Sequence, residues 1–188
     1  IMPSMRLFVE FALAGAVAVM AAGPPVAEIS NGKISATVYL PDPVNGFYQG
    51  TRFDWSGVVR SLEANGHSYY GPWFTKRSET VRDFIYDGDD IVAGPCSSTM
   101  GPADEFRPLG YDAAKPGGTF VKIGVGMLKR TDEKAYDAFR LYPIADHGKW
   151  SVNRKGDSIE ILQILNDGSS GYGYEYRKTL RLVKGKTE

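Results

Sequence analysis

The sequence predicts an all-β protein, an antiparallel β-sandwich that carries its site on loops. Three observations lead there. Asn-Gly pairs sit between runs of alternating polarity at 31–32 and 65–66, the strongest short-range hairpin signal. The segment "YGYEYRKTLRLV" alternates with period two: Tyr172, Tyr174, Tyr176, Leu180 and Leu182 fall on one face, Glu175, Arg177, Thr179 and Arg181 on the other. Glycine (22) and proline (11) supply turns, and tyrosine (11) and phenylalanine (9) favour strands.

The elements follow in order. Residues 1–23 read as a secretory signal peptide. Met2 or Met5 starts it, Arg6 gives the basic end, Leu7 to Ala22 is apolar apart from Glu10, and Pro24-Pro25 stops any helix. The apolar run is shorter than the roughly 20 residues that span a bilayer. The mature protein is therefore expected in the periplasm or outside the cell, with no membrane contact after cleavage. A single β-sandwich domain is expected from residue 26 to 188. "EISNGKISATVYL" and "GVVRSLEANGHSYYG" are its first hairpins, and "KWSVNRKGDSIEILQIL" (149–165) is a third, turning at Lys155-Gly156-Asp157. "TFVKIGVGMLKR" (119–130) is strand-like and rich in β-branched residues, and "YDAFRLYPIAD" (136–146) follows a short turn. "SETVRDFIYD" reads as a short helix capped by Ser78. Residues 88–118 read as one long Gly-, Pro- and Asp-rich loop, a length that points to a functional segment. The chain leaves a strand at "LRLVKGKTE" with no terminal cap, so the domain is expected to be truncated at its C-terminus.

Composition removes several functions. Twenty-two basic residues balance 22 acidic ones, which argues against a nucleic-acid partner. Cys96 is the only cysteine, so no internal disulfide is possible, and it reads as a small buried thiol. Gly124-Val125-Gly126 and Gly171-Tyr172-Gly173 lack the third glycine of a dinucleotide fingerprint, and Gly117-Gly118 lacks the Lys-Ser or Lys-Thr of a phosphate loop. His67 and His147 have no ligand-spaced partners. No cofactor and no metal are expected.

The chemistry concentrates in "GTRFDWSG" (50–57), where Arg52, Phe53, Asp54 and Trp55 stand together. Tyr69, Tyr70, Trp73 and Phe74 follow the second hairpin turn and are expected at the same end. Aromatic faces beside a guanidinium and a carboxylate suit a sugar: the rings stack on C–H bonds and the charges take hydroxyls. "GPADEFRPLGYD" adds Asp104, Glu105, Arg107 and Asp112. The substrate-binding candidates are Arg52, Asp54, Trp55, Trp73 and Glu105, with Glu105 the expected partner of Arg52. Two other readings of the same residues stand beside this one: a strand-edge aromatic cluster holding a structural ion pair, and a pair of carboxylates acting as acid and base.

Taken in order, "ISNGKISATVYLPDPVNGFYQGTRFDWSGVVRSLEANGHSYYG", "GPADEF", "LGYDAAKPGGTFVKIGVG" and "YEYRKTLRLV" resemble the galactose-mutarotase-like family, in a secreted bacterial branch. The resemblance spans about residues 28 to 183. It implies part of a large antiparallel supersandwich and cofactor-free, aldose 1-epimerase-type interconversion of sugar anomers by a histidine and a glutamate. Those two residues would lie beyond Glu188, because neither His67 nor His147 matches the family's position. Where the family carries an Asn-Arg pair on the sugar, this chain has "GPADEFRP", so those contacts do not transfer. The alternative is a carbohydrate-binding module without chemistry.

Overall fold

The computed structural model describes residues 23–166, 168 and 171–187. The expected signal peptide lies outside them, apart from Gly23. Among the described residues the protein is all-β, with no helix.

The first sheet has four antiparallel strands in the order β1-β2-β3-β4: Val26–Ser30, Ile34–Tyr39, Val59–Ala64 and His67–Tyr70. Both expected Asn-Gly hairpins are present. Asn65 (φ 52°) and Gly66 (φ 75°) join β3 to β4 with consecutive left-handed residues, the conformation of a two-residue hairpin turn. Further along, β5 (Lys76–Arg77), β6 (Phe84–Asp87) and β7 (Asp90–Ala93) form a small sheet ordered β5-β7-β6, with β5 and β7 parallel. A third sheet contains β8 (Thr119–Lys122), β9 (Gly126–Lys129) and β10 (Ile144–Asp146). The fourth runs β11-β12-β13: Lys149–Arg154, Ser158–Asn166 and Gly173–Arg181. It holds the third expected hairpin.

Two sequence expectations are corrected. The segment 78–87 is not a helix. Ser78 Oγ instead meets Thr80 Oγ1 in a turn, and Phe84–Asp87 pairs with β7 through an Asp87-Gly88-Asp89 turn. Cross-strand pairing with Ile91 and Val92 outweighs the local helical spacing. The stretch 88–118 is not all loop, because Asp90–Ala93 pairs as β7, and the strand-like run 119–130 forms a hairpin in which Gly124 takes φ +78° between β8 and β9.

Sheets one and four face each other. Alternate residues of β1 and β2 (Ala27, Ile29, Ile34, Ala36, Val38) pack with Ile159, Ile161 and Leu182. Burying each large apolar side chain contributes about 1.5–3 kcal/mol, so a one-residue slip of either sheet would forfeit the face. A second core lies under the loops. Tyr48, Trp55, Val58, Met100, Tyr111, Phe120, Val125, Leu128 and Tyr142 build it. Cys96 is buried near it as expected, and its carbonyl accepts Tyr48 Oη at 3.1 Å.

Trp55 is a core residue at 2 % exposure. Its Nε1 donates to Gly50 O at 2.8 Å, and its ring lies parallel to Trp150 at 6.4 Å and against His147 at 5.0 Å. Trp55→Ala is therefore expected to cost about 3–5 kcal/mol, the range for truncating a buried aromatic. Urea denaturation followed by circular dichroism measures it.

Candidate functional site

The structure separates the sequence-predicted site residues into two layers. Arg52 and Trp73 line a surface cleft, Glu105 pairs with Arg52 outside that lining, and Asp54 and Trp55 are buried. The expectation that all five line one binding surface is corrected for the last three: Glu105 is not among the cleft residues, Asp54 is 0 % exposed and Trp55 is packed inside the second core.

The lower layer centres on the Asp54 carboxylate. It accepts the Ser56 amide at 2.8 Å, the Ser56 hydroxyl, the Asp104 amide, and Lys178 Nζ at 2.9 Å. The Asp54 amide returns a bond to Asp104 O at 2.9 Å, and the next amide, Trp55 N, donates to Gly124 O at 3.0 Å. Gly124 has no room for a side chain, because a β-carbon there would overlap that of Asp54. Lys178 comes from the inward face of β13 and also pairs with Asp104 at 2.8 Å and Pro102 O at 2.6 Å. Tyr176 Oη adds a 3.2 Å bond to Asp104 and its ring meets Phe106 edge-on. Burial pushes the Asp54 carboxyl up, against the pull of Ser56, Lys178 and the Asp104 amide. Burial acts to lower Lys178 as well, but its two carboxylates outweigh it and hold the ammonium above its ordinary value.

The upper layer follows from this. With residues 54 and 104 tied together, the neighbouring Arg52 and Glu105 meet: Arg52 Nε donates to Glu105 Oε2 at 2.9 Å. The expected pairing is present. The guanidinium is sandwiched by Phe139 (4.1 Å) and Phe53 (4.7 Å), which fixes its plane.

Arg52 and Phe53 help to line a cleft of about 380 Å³. Trp73, Phe84, Tyr86 and Ile91 add apolar lining, and Asp83, Ser97 and Thr99 add polar groups. Trp73 Nε1 donates to Thr99 O at 2.7 Å, so the ring is held while part of its surface stays open. Trp73 meets Phe84 edge-on at 5.6 Å, and Phe84 meets Tyr86 at 5.9 Å. Phe84 and Tyr86 are two apart on β6 and so share a face. Ser97 Oγ donates to Asp83 Oδ1 at 2.6 Å, which leaves that carboxylate with free acceptor capacity.

Sequence reasoning missed Lys178, Lys122, Tyr136, Asp83, Phe84 and Tyr86. Lys178 was legible, since it shares the parity of Tyr174, Tyr176 and Leu180. Phe84 and Tyr86 were legible through the Asp87-Gly88 turn signal. Lys122 is the lone charge in an apolar run; it is 1 % exposed and its Nζ donates to Tyr136 Oη at 2.8 Å. Burial pulls its pKa down to about 8, Arg52 adds to that pull, and Glu105 opposes it.

Comparison with family models, curated proteins and solved structures returned no match.

Two outcomes are expected. Asp54→Ala removes one partner of a buried pair and should cost about 3–5 kcal/mol in denaturant unfolding. Lys122→Met tests the buried amine. Below about pH 8 the amine is protonated whether the chain is folded or not. Between there and about 10.4, the ordinary lysine value, the unfolded chain binds more protons than the folded one, so stability rises with pH. The stability of wild type relative to Lys122→Met should climb across that window, with a slope approaching about 1.4 kcal/mol per pH unit. A flat difference would place the amine's titration at the ordinary value.

Proposed function

We propose that the protein binds carbohydrate in the cleft lined by Arg52 and the Trp73–Phe84–Tyr86 row. One observation carries the reading: a held, partly open tryptophan at the head of an aromatic row shares one cleft with the Arg52 guanidinium, which is itself held by Glu105. A pyranose has that division of surface, with C–H faces for rings and a rim of hydroxyls for charges. Asp83, Ser97 and Thr99 offer further hydroxyl partners. The cleft volume falls within the range of small-molecule sites. Buried Trp55 and Asp54 position the cleft without touching a ligand.

The finer proposal is a galactose-mutarotase-like protein, taken from the ordered resemblance of the sequence segments. The assignment given to the residues of this chain is recognition. His67 lies on the exposed edge strand β4, and His147 packs on Trp55 with burial holding its pKa down. Neither imidazole lines the cleft.

Calorimetric titration with aldoses and oligosaccharides tests the reading. Wild type should bind at least one of them. Trp73→Ala should weaken that binding roughly tenfold, the upper range for one aromatic contact, while its stability cost stays below the about 3–5 kcal/mol of a fully buried aromatic because the ring is partly exposed. Arg52→Lys should weaken it as well, since a point charge does not replace the planar fork. Unchanged affinity in Trp73→Ala, or no binding to any sugar, would remove the cleft as a carbohydrate site.

A further inference from the structure

Asp83 lines the cleft as a carboxylate without a cation. Its Oδ1 accepts the buried Ser97 hydroxyl at 2.6 Å, and its carbonyl accepts the Gly94 amide at 2.6 Å, so side chain and backbone are both held. Among the described residues nothing hydrogen-bonds Oδ2 and no cation forms an ion pair with it. The side-chain atoms buried without a partner are Thr99 Oγ1, His147 Nδ1 and Trp150 Nε1, so Asp83 Oδ2 stays open to solvent. Nearby positive charge is already matched. Arg52, the cation of the cleft lining, is committed to Glu105 at 2.9 Å, and Arg82, the chain neighbour of Asp83, to Asp137 at 2.8 Å. The aromatic row has the same preference of sign. A ring face is negative and its edge positive. Trp73, Phe84 and Tyr86 meet one another edge to face and each keeps part of its surface exposed. An anion in this cleft would meet a bare carboxylate and negative ring faces; a cation is favoured by both.

We propose that the cleft takes a protonated amine, with Asp83 Oδ2 accepting a hydrogen bond from the ammonium and the Trp73–Phe84–Tyr86 row packing on the carbon skeleton that carries it. The inference rests on the carbohydrate reading only for that carrier. In that reading the ligand is an amino sugar, whose ammonium replaces one hydroxyl of the polar rim while its C–H faces still meet the rings. Arg52, whose charge Glu105 offsets, then serves the remaining hydroxyls.

Calorimetric titration with the β-linked tetramers of glucose, glucosamine and N-acetylglucosamine isolates the charge, because they share a backbone and differ only in carrying a hydroxyl, an ammonium or an acetamide on the second carbon. At about pH 5.5, below the ordinary range of amines, the glucosamine units are protonated. The glucosamine tetramer should bind at least about tenfold tighter than the other two, the effect of one hydrogen bond to a charged group. Added salt should weaken its binding and leave that of the neutral tetramers unchanged. Asp83→Asn keeps the acceptor for Ser97 and should abolish the preference. Equal affinity for the three tetramers, or a preference that survives in Asp83→Asn, overturns the inference and leaves the carbohydrate reading standing. Benzylamine against benzyl alcohol, followed by ligand-observed NMR, covers the reverse case. Binding of the amine alone, lost in Asp83→Asn, with no tetramer bound, keeps the amine site and removes the carbohydrate reading. Binding of neither amine nor tetramer overturns both. The wild-type comparison decides the inference even if Asp83→Asn fails to fold.

Discussion

The structure depends on one buried carboxylate. Asp54 has no contact with solvent, yet it joins three parts of the chain that are distant in sequence: its own loop, the segment 102–105, and β13 through Lys178. An isolated carboxylate in such a place would be prohibitively costly. Two amides, a hydroxyl and an ammonium offset that cost, and each constrains a different piece of backbone or side chain. The Asp54 amide donates to Asp104 O and the Asp104 amide donates back to the Asp54 carboxylate, so the two loops lie in a fixed register. Arg52 and Glu105 sit just beyond that pair, and their 2.9 Å contact is a consequence of it.

This arrangement divides the work between the two cores. The sandwich of the first and fourth sheets is apolar and regular, and its stability comes from buried area. The second core is built from loops and short strands, where tyrosines meet edge-on or stacked around Phe120 and Tyr142. Loops lack a ladder of their own, so side chains must satisfy their backbone. Tyr48 Oη, Trp55 Nε1 and the Arg130 guanidinium all serve backbone groups in this way. A rigid scaffold with loops locked onto it suits a site that must present rings and charges at fixed spacing.

The sheets were legible from the sequence because their signals are local. Asn31-Gly32 and Asn65-Gly66 fix turns, and the alternation of β13 fixes a face. The Arg52–Glu105 pair was legible from electrostatics alone, since a charge among Phe53 and Phe106 needs a partner. Trp55 and Asp54 were misread as surface groups because a Trp beside an Asp between glycines has the composition of a platform. What decides their burial is non-local: Trp150 and His147 arrive from nearly a hundred residues away, and Lys178 from further still. The segment 78–87 was misread because its pairing with β7 overrides a spacing that also fits a helical turn. The aromatic row on β6 went unseen for the same reason.

Hydrogen–deuterium exchange of wild type against Asp54→Asn tests the account most directly, because it reads the coupling of the loops without requiring a ligand. Replacing the carboxylate removes the charge that Lys178 and the Asp104 amide share while keeping the side chain's shape. Amides of residues 103–105 and of 52–57 should lose protection together, with those of β1, β2 and β12 unchanged. Retained protection at 103–105 in a folded Asp54→Asn protein would contradict this, and would mean that the cleft is held by packing rather than by the buried charge.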